Sequence, residues 1–279
     1  MQTVPFAATG ERPLIVGAVA YHQRIVPIWE RFRDYFTDGG VPTDHVLYSN
    51  YERLVEALLA GDVDIAWNTN TAYVQAEHRI GGGARLLGMR DIDRDFATVF
   101  VTPRDRAVES LAELRGQRVA LGSRDSGHAA ILPIHQLRGA GLDPGTDPAL
   151  VRFDTDLGKH GDTGDSELRV LEAVAAGDAD AGAIGDATWA LFRSQGVPAT
   201  EGLVVSWRSP TYYHCNFTAR EELDAGRADA WSRLLLAMSY DDPTLRPAMD
   251  LEGVKRWHAA DKAGYRELTQ AMREQGYLA

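Results

Sequence analysis

The chain has 279 residues, 44% apolar and 25% charged, a globular composition that excludes a disordered or collagen-like chain. With 29 basic and 40 acidic residues the net charge is −11, which argues against nucleic acid or an anionic membrane as the main partner. One cysteine, Cys215, excludes a disulfide framework and a Cys-rich zinc site, and no run reaches the roughly 18 apolar residues of a membrane span.

The first predicted element is a strand, Leu14 to Ala20. The apolar run from Pro13 to Tyr21, with Ala18-Val19-Ala20 in the place of a cleavage box, has the outline of a secretory signal. Its positive region is one arginine, Arg12, beside Glu11, and the run is short and rich in β-branched residues. It therefore reads as a strand. The chain as written is expected in the cytoplasm, or in the periplasm or outside the cell if a leader preceded it.

A helix follows through Ile25-Val26-Pro27-Ile28 and ends at Gly39-Gly40, with the proline in the first turn, where no backbone donor is needed. Asp44 to Ser49 is the second strand. The segment from Val55 to Asp64 reads as a helix end with a glycine cap, leading into a strand from Val63 to Trp67. Asp95 to Thr102 is a further β-rich run.

The pattern then restarts. Arg118 to Leu121 is a strand, Ile131-Leu132-Pro133-Ile134 echoes the first helix, and that helix ends near Gly139 and Gly141. Ala149 to Asp154 is the next strand. Leu171-Glu172-Ala173-Val174-Ala175-Ala176-Gly177-Asp178-Ala179-Asp180 repeats Val55 to Asp64, and Asp180 to Ile184 is the strand it feeds. Thr211 to Ala219 is β-rich, and the tail is helical over Arg227 to Ser239 and Lys262 to Gly276.

Alternating strands and helices in two similar halves predict an α/β fold: two doubly wound lobes joined by two crossover strands. The expected division is 1–98 for the first part of lobe 1, 99–213 for lobe 2, and 214–279 for a return to lobe 1 with the C-terminal helices. Such a hinge permits closure over a ligand.

Ligands of open parallel sheets bind beyond the carboxyl ends of the strands. In lobe 1 that rule selects Tyr21, His22, Asn68, Thr69 and Asn70; in lobe 2 it selects Ser123, Ser126, Gly127, His128, His160 and Asp186. The Ser123 to His128 loop joins a strand to a helix through hydroxyls and a glycine, the composition of an anion seat and equally of a plain N-cap. Asp186 opens a helix, as a cap or as the holder of a ligand ammonium. Tyr21, Tyr51, Trp67 and Tyr73 are ligand walls or core. His22, His160 and His214 are the candidates for acid/base chemistry or for a shared metal, although they lack motif spacing, and no metal or cofactor is expected. Alternation places His214, Asn216 and Thr218 on one face of their strand, and Cys215, read as an inert buried thiol, with Phe217 on the other.

The segments Leu58 to Asn68 with Ala72-Tyr73-Val74, Ser110 to Ala120, and the Ser123 to Gly127 loop resemble the type II periplasmic solute-binding proteins. Within them the similarity is to the phosphate/phosphite/phosphonate branch of ABC importers, and it covers roughly residues 14 to 220. It implies a phosphonate seat at Ser126, Gly127 and His128, further contacts at His160 and Asp186, and ligand-facing loops at Tyr21 and Asn68 to Thr71. Two functions follow. The first is an ABC-transporter-type binder of a small anionic or zwitterionic ligand, with a permease as partner. The second is a cytoplasmic enzyme on the same fold. The latter rests on the absence of a recognised leader, on the cleft histidines, and on the likeness of Cys215-Asn216-Phe217-Thr218 to the CCCFT stretch of the thiamine-pyrimidine synthase family.

Overall fold

In the computed structural model, which describes residues 12–278, the strands form two mixed sheets. The first half of the chain supplies β1 (Leu14–Val19), α1 (Val26–Asp38), β2 (Thr43–Tyr48), α2 (Tyr51–Ala60), β3 (Ile65–Asn68), α3 (Asn70–Ile80) and β4 (Arg85–Arg90). The second supplies β5 (Thr98–Pro103), β6 (Arg118–Leu121), α4 (Leu132–Gly139) entered through a π turn at Gly127–Ile131, β7 (Ala149–Arg152), α5 (Asp165–Ala176), β8 (Ala181–Gly185), α6 (Asp186–Ser194) and β9 (Leu203–Arg208). Then come β10 (Asn216–Ala219), α7 (Ala225–Ala237), α8 (Arg246–Glu252), β11 (Trp257–His258) and α9 (Arg266–Glu274).

The first sheet runs β11-β4-β10-β3-β1-β2 and the second β7-β6-β8-β5-β9. In each, three neighbouring strands are parallel and the next along is antiparallel: β10 beside β3, and β5 beside β8, with the remaining strands pairing antiparallel beyond it. The two crossover runs thus each end in the sheet of the opposite half. Between them, Phe96 and Tyr212 exchange two backbone hydrogen bonds, of 3.2 and 2.9 Å, where the connections pass one another.

The internal echo is structural. Gly61 and Gly177 both cap their helices at φ 79°, ψ 14°, a left-handed conformation open to glycine at little cost. Asp64 then accepts from the Ile15 N–H and Asp180 from the Arg118 N–H, each at 2.9 Å, and each carboxylate also binds an arginine, Arg12 or Arg118. Pro27 and Pro133 both lie in a first helical turn.

The apolar sides of these elements form several clusters. Trp29, Phe36, Trp67, Phe217, Trp231 and Trp257 fill the largest, with α7 and α8 packed on it. Cys215 and Phe217 face that core, as alternation predicts. The last helix goes beyond the expected return to the first half. Leu268, Ala271 and Met272 pack with Tyr73 and Val74 of α3 and also with Ile131 and Leu132 at the start of α4. Gln275 and Tyr277 fasten this end to the second half by bonds to the Ile131 and Arg124 carbonyls, at 2.8 and 2.6 Å.

Candidate functional site

The carboxyl ends of the two sheets meet. Tyr51 donates its N–H to the Gly158 carbonyl at 3.0 Å, and its hydroxyl bonds the Asp162 carboxylate. Lys159 Nζ reaches the Ala20 carbonyl at 3.0 Å. His160 Nδ1 lies 2.6 Å from Thr69 Oγ1 and 2.8 Å from Thr71 Oγ1, with its ring stacked on Tyr51. Gly127 abuts Asn70 so closely that a Cβ would lie 2.6 Å from Asn70 Oδ1. Gly161 is likewise required, since a Cβ there would meet Ser126 Oγ and His128 Nε2 below 3 Å. The two halves are clasped.

Polar groups at this seam lack partners. Asn68, at the end of β3, is fully buried with both amide atoms unbonded; Asp125 Oδ1, His128 Nε2 and His160 Nε2 are buried without a hydrogen bond. These make up five of the eleven such atoms among the described residues, concentrated where the halves touch. Buried polar atoms are normally satisfied, so this cluster calls for water, an ion or a ligand at the seam.

A cavity of about 200 Å³ opens beside His128, between Arg90, Phe96 and His214 on one side and Gly161 to Gly164, Thr188 and Phe192 on the other. The Arg90 guanidinium grips Asp93 through two bonds, of 2.6 and 2.9 Å, and lies over the Trp67 ring. Despite burial, Arg90 and His214 hold the Asp93 carboxyl down at about 2. Glu252 lies 3.3 Å from the same guanidinium, but Arg90 is already engaged by Asp93. Burial dominates, with Asp93 and Asp162 adding repulsion, and pushes Glu252 up to about 7.

His214 Nε2 meets His128 Nδ1 at 3.1 Å, and His128 Nε2 lies 3.4 Å from Glu167. Burial disfavours the His128 cation, yet the Glu167 carboxylate, with Asp162 and Asp156 behind it, raises its pKa above the ordinary value. The cavity is therefore edged by a guanidinium and by an imidazole disposed to carry charge, with Asp162 as an anionic edge.

The candidates fare unequally. Thr69, Asn70, Gly127 and His160 come together at the seam; Asn68 is buried at the end of β3, and His128 meets His214 and Glu167 beside it. Tyr21 is half-buried there, its phenol pKa raised by burial and by Glu252 and Asp162. His22 is exposed, so the three histidines do not converge: His160 groups with Glu52 and Asp125, and His214 with Asp93 and Cys215. Ser123 bonds inward to Asp156, and Ser126 caps its own helical segment by accepting from the Ala129 N–H at 3.2 Å. Asp186 spends one oxygen on the Ala97 N–H, at 3.1 Å, and the other on Arg208, so its role is to tie α6 to the sheet. Trp67 and Tyr73 belong to the core. Burial pushes the Cys215 thiol well above its ordinary value, which leaves little thiolate for nucleophilic chemistry.

Sequence reasoning missed Arg90, Asp93, Asp162, Glu167 and Glu252. Arg90 ends a strand, Arg85–Arg90, whose flanking arginines hide its apolar centre. Glu252 arrives from α8, about 160 residues further along the chain.

Two α/β sheets, each with an antiparallel strand beside its parallel ones and with a polar seam between them, have the architecture of the type II periplasmic binding-protein class. The family model described as ABC transporter, phosphonate, periplasmic substrate-binding protein matches residues 16–265, and the chain belongs to that family. A curated relative, the probable ABC transporter phosphite binding protein PhnD1 of Prochlorococcus marinus (strain MIT 9301), is 22% identical over 244 residues, covering 84% of this chain and 79% of the relative. The structure of PhnD1 in complex with methylphosphonate aligns at TM-score 0.72 and 21% identity, over 94% of this chain and 98% of that one. XAC2383 from Xanthomonas citri bound to ATP aligns at TM-score 0.76 and 21% identity, over 96% and 100%. These relatives favour binding over the enzyme reading. The family's description is periplasmic and lends no support to a cytoplasmic location. No helix among the described residues is long and apolar enough to cross a membrane.

Proposed function

We propose that this protein captures one small phosphonate- or phosphite-class oxyanion between its sheets and presents the closed form to an ABC permease. The observation that carries the reading is the cavity of about 200 Å³ lined by both halves and by the crossing residues Phe96 and His214. Its size suits a molecule like methylphosphonate and is below the several hundred Å³ that larger ligands occupy, which argues against a nucleotide. His128 and Arg90, the latter held by Asp93, supply the positive edge, and His214 a ring nitrogen. Gly161, Thr163, Gly164, Thr188 and Phe192 complete the walls.

Asp162 lines the same space, so a ligand that also carries an ammonium group is accommodated better than a dianion. The hinge lies where Phe96 pairs with Tyr212, with the lobes dividing near residues 98 and 213. Periplasmic residence follows if a leader precedes the mature chain.

Isothermal titration with methylphosphonate, phosphite and 2-aminoethylphosphonate tests this. One site per chain is expected, weakened in His128→Gln. A wild-type protein that binds none of the three overturns the reading.

A further inference from the structure

The seam also holds a cluster outside the lining of that cavity, made of Glu52 on α2 and of Asp125 and His160 on loops of the other half. One ligand atom from each lies within 4.8 Å of the others. We propose that Glu52, Asp125 and His160 form a divalent transition-metal site that ties the two halves together in the closed state.

The imidazole is the reason. His160 is 1% exposed, and its Nε2 has no hydrogen-bond partner. That nitrogen points at Glu52 Oε1, 3.7 Å away, and at Asp125 Oδ2, 3.9 Å away. Both separations are too long for hydrogen bonds. They are a few tenths of an ångström beyond the roughly 3.4 Å that a tetrahedral ion with bonds near 2.1 Å sets between its ligands. Glu52 is an exposed side chain, so a small rotation closes the difference. Asp125 Oδ2 also accepts from the Gly158 N–H at 2.5 Å, which fixes the carboxylate, while its other oxygen, Oδ1, is buried without a partner.

The other side of the ring is built as metal-bound histidines require. Nδ1 sits between the Thr69 and Thr71 hydroxyls, and Thr69 Oγ1 already accepts from the Ala72 N–H. A proton on Nδ1 donated to a hydroxyl fixes the tautomer that leaves the Nε2 lone pair free for an ion. Among the described residues, the ion pairs of Glu52 and Asp125 both go to His160, leaving two carboxylates facing one imidazole. A divalent ion neutralises that excess. One nitrogen and two carboxylate oxygens suit zinc or its neighbours better than calcium, which takes six to eight oxygens.

The site goes beyond the proposed ligand seat and is tested without any organic ligand. Metal-stripped full-length protein is dialysed against Zn²⁺ alone, and separately titrated with Co²⁺ while its visible absorption is followed. The expected result is one high-affinity Zn²⁺ per chain and a Co²⁺ spectrum typical of low coordination. Glu52→Gln, on an exposed side chain that the fold tolerates, should weaken binding by about 10- to 100-fold and erase the spectrum; Thr71→Val should weaken it less. Absence of stoichiometric Zn²⁺ overturns the proposal. So does a Glu52→Gln variant that binds Zn²⁺ as the wild type does, because the ion then lies elsewhere.

Discussion

Glu252 offers a quantitative test of the buried network. Its carboxyl is pushed from 4.5 to about 7 by burial, with Asp93 and Asp162 adding repulsion that Arg90 only partly offsets. In the unfolded chain the same group ionises near its ordinary value. A carboxyl whose folded pKa is raised contributes its stability below about pH 4.5 and loses it as the pH climbs through 7. The shift corresponds to about 3 kcal/mol, of which about 2 kcal/mol falls between pH 5 and pH 7. Glu252→Gln keeps the shape and stays neutral, and Arg90 retains its 2.7 Å bond to the backbone carbonyl of residue 252. Urea unfolding at pH 5, 6, 7 and 8 on both proteins reads the difference. The variant should become more stable relative to the wild type with rising pH, by about 2 kcal/mol from pH 5 to pH 7. Parallel stability profiles would refute the reasoning. The comparison cancels His128, whose raised pKa also costs stability as the pH rises.

Three further outcomes are expected. Gly127→Ala places a Cβ against the buried Asn70 amide, 2.6 Å from its oxygen; it should cost about 1–3 kcal/mol in the clasped form and enlarge the radius of gyration measured by small-angle scattering. Cys215, buried and with its thiol pKa pushed up, should resist a thiol reagent at pH 8 in native protein and react promptly in urea. Tyr277→Phe removes the bond from the segment after α9 to the Arg124 carbonyl; hydrogen exchange should rise in α9 and at the start of α4, with a loss of about 1 kcal/mol.

Much of the fold was legible because the local rules were strong. The paired Ala-Gly-Asp helix ends announced a duplicated strand–helix–strand unit, and Gly61 and Gly177 adopt identical cap geometry. Both crossover runs were visible, although their regular strands are confined to Thr98–Pro103 and Asn216–Ala219. β4 and β9 were missed, as was the short helix Arg246–Glu252, about two turns between loops. At the proposed site, strand-end logic selects loops but does not say which of their atoms are already bonded. Ser123 and Asp186 lie where that rule predicts, yet each is used up by a neighbour. Arg90, Asp93 and Glu252 escaped because their roles come from tertiary approach, which one-dimensional spacing does not encode.

Crystals grown with methylphosphonate test the central claim most directly. The account predicts the phosphorus between the two sheets, within hydrogen-bonding reach of His128 and Arg90 and in the cavity that His214 also lines. A larger groove of about 870 Å³ lies between α3 and α9, lined by Glu77, Lys262 and Arg266. Ligand density there, with the interior cavity empty, would contradict the account.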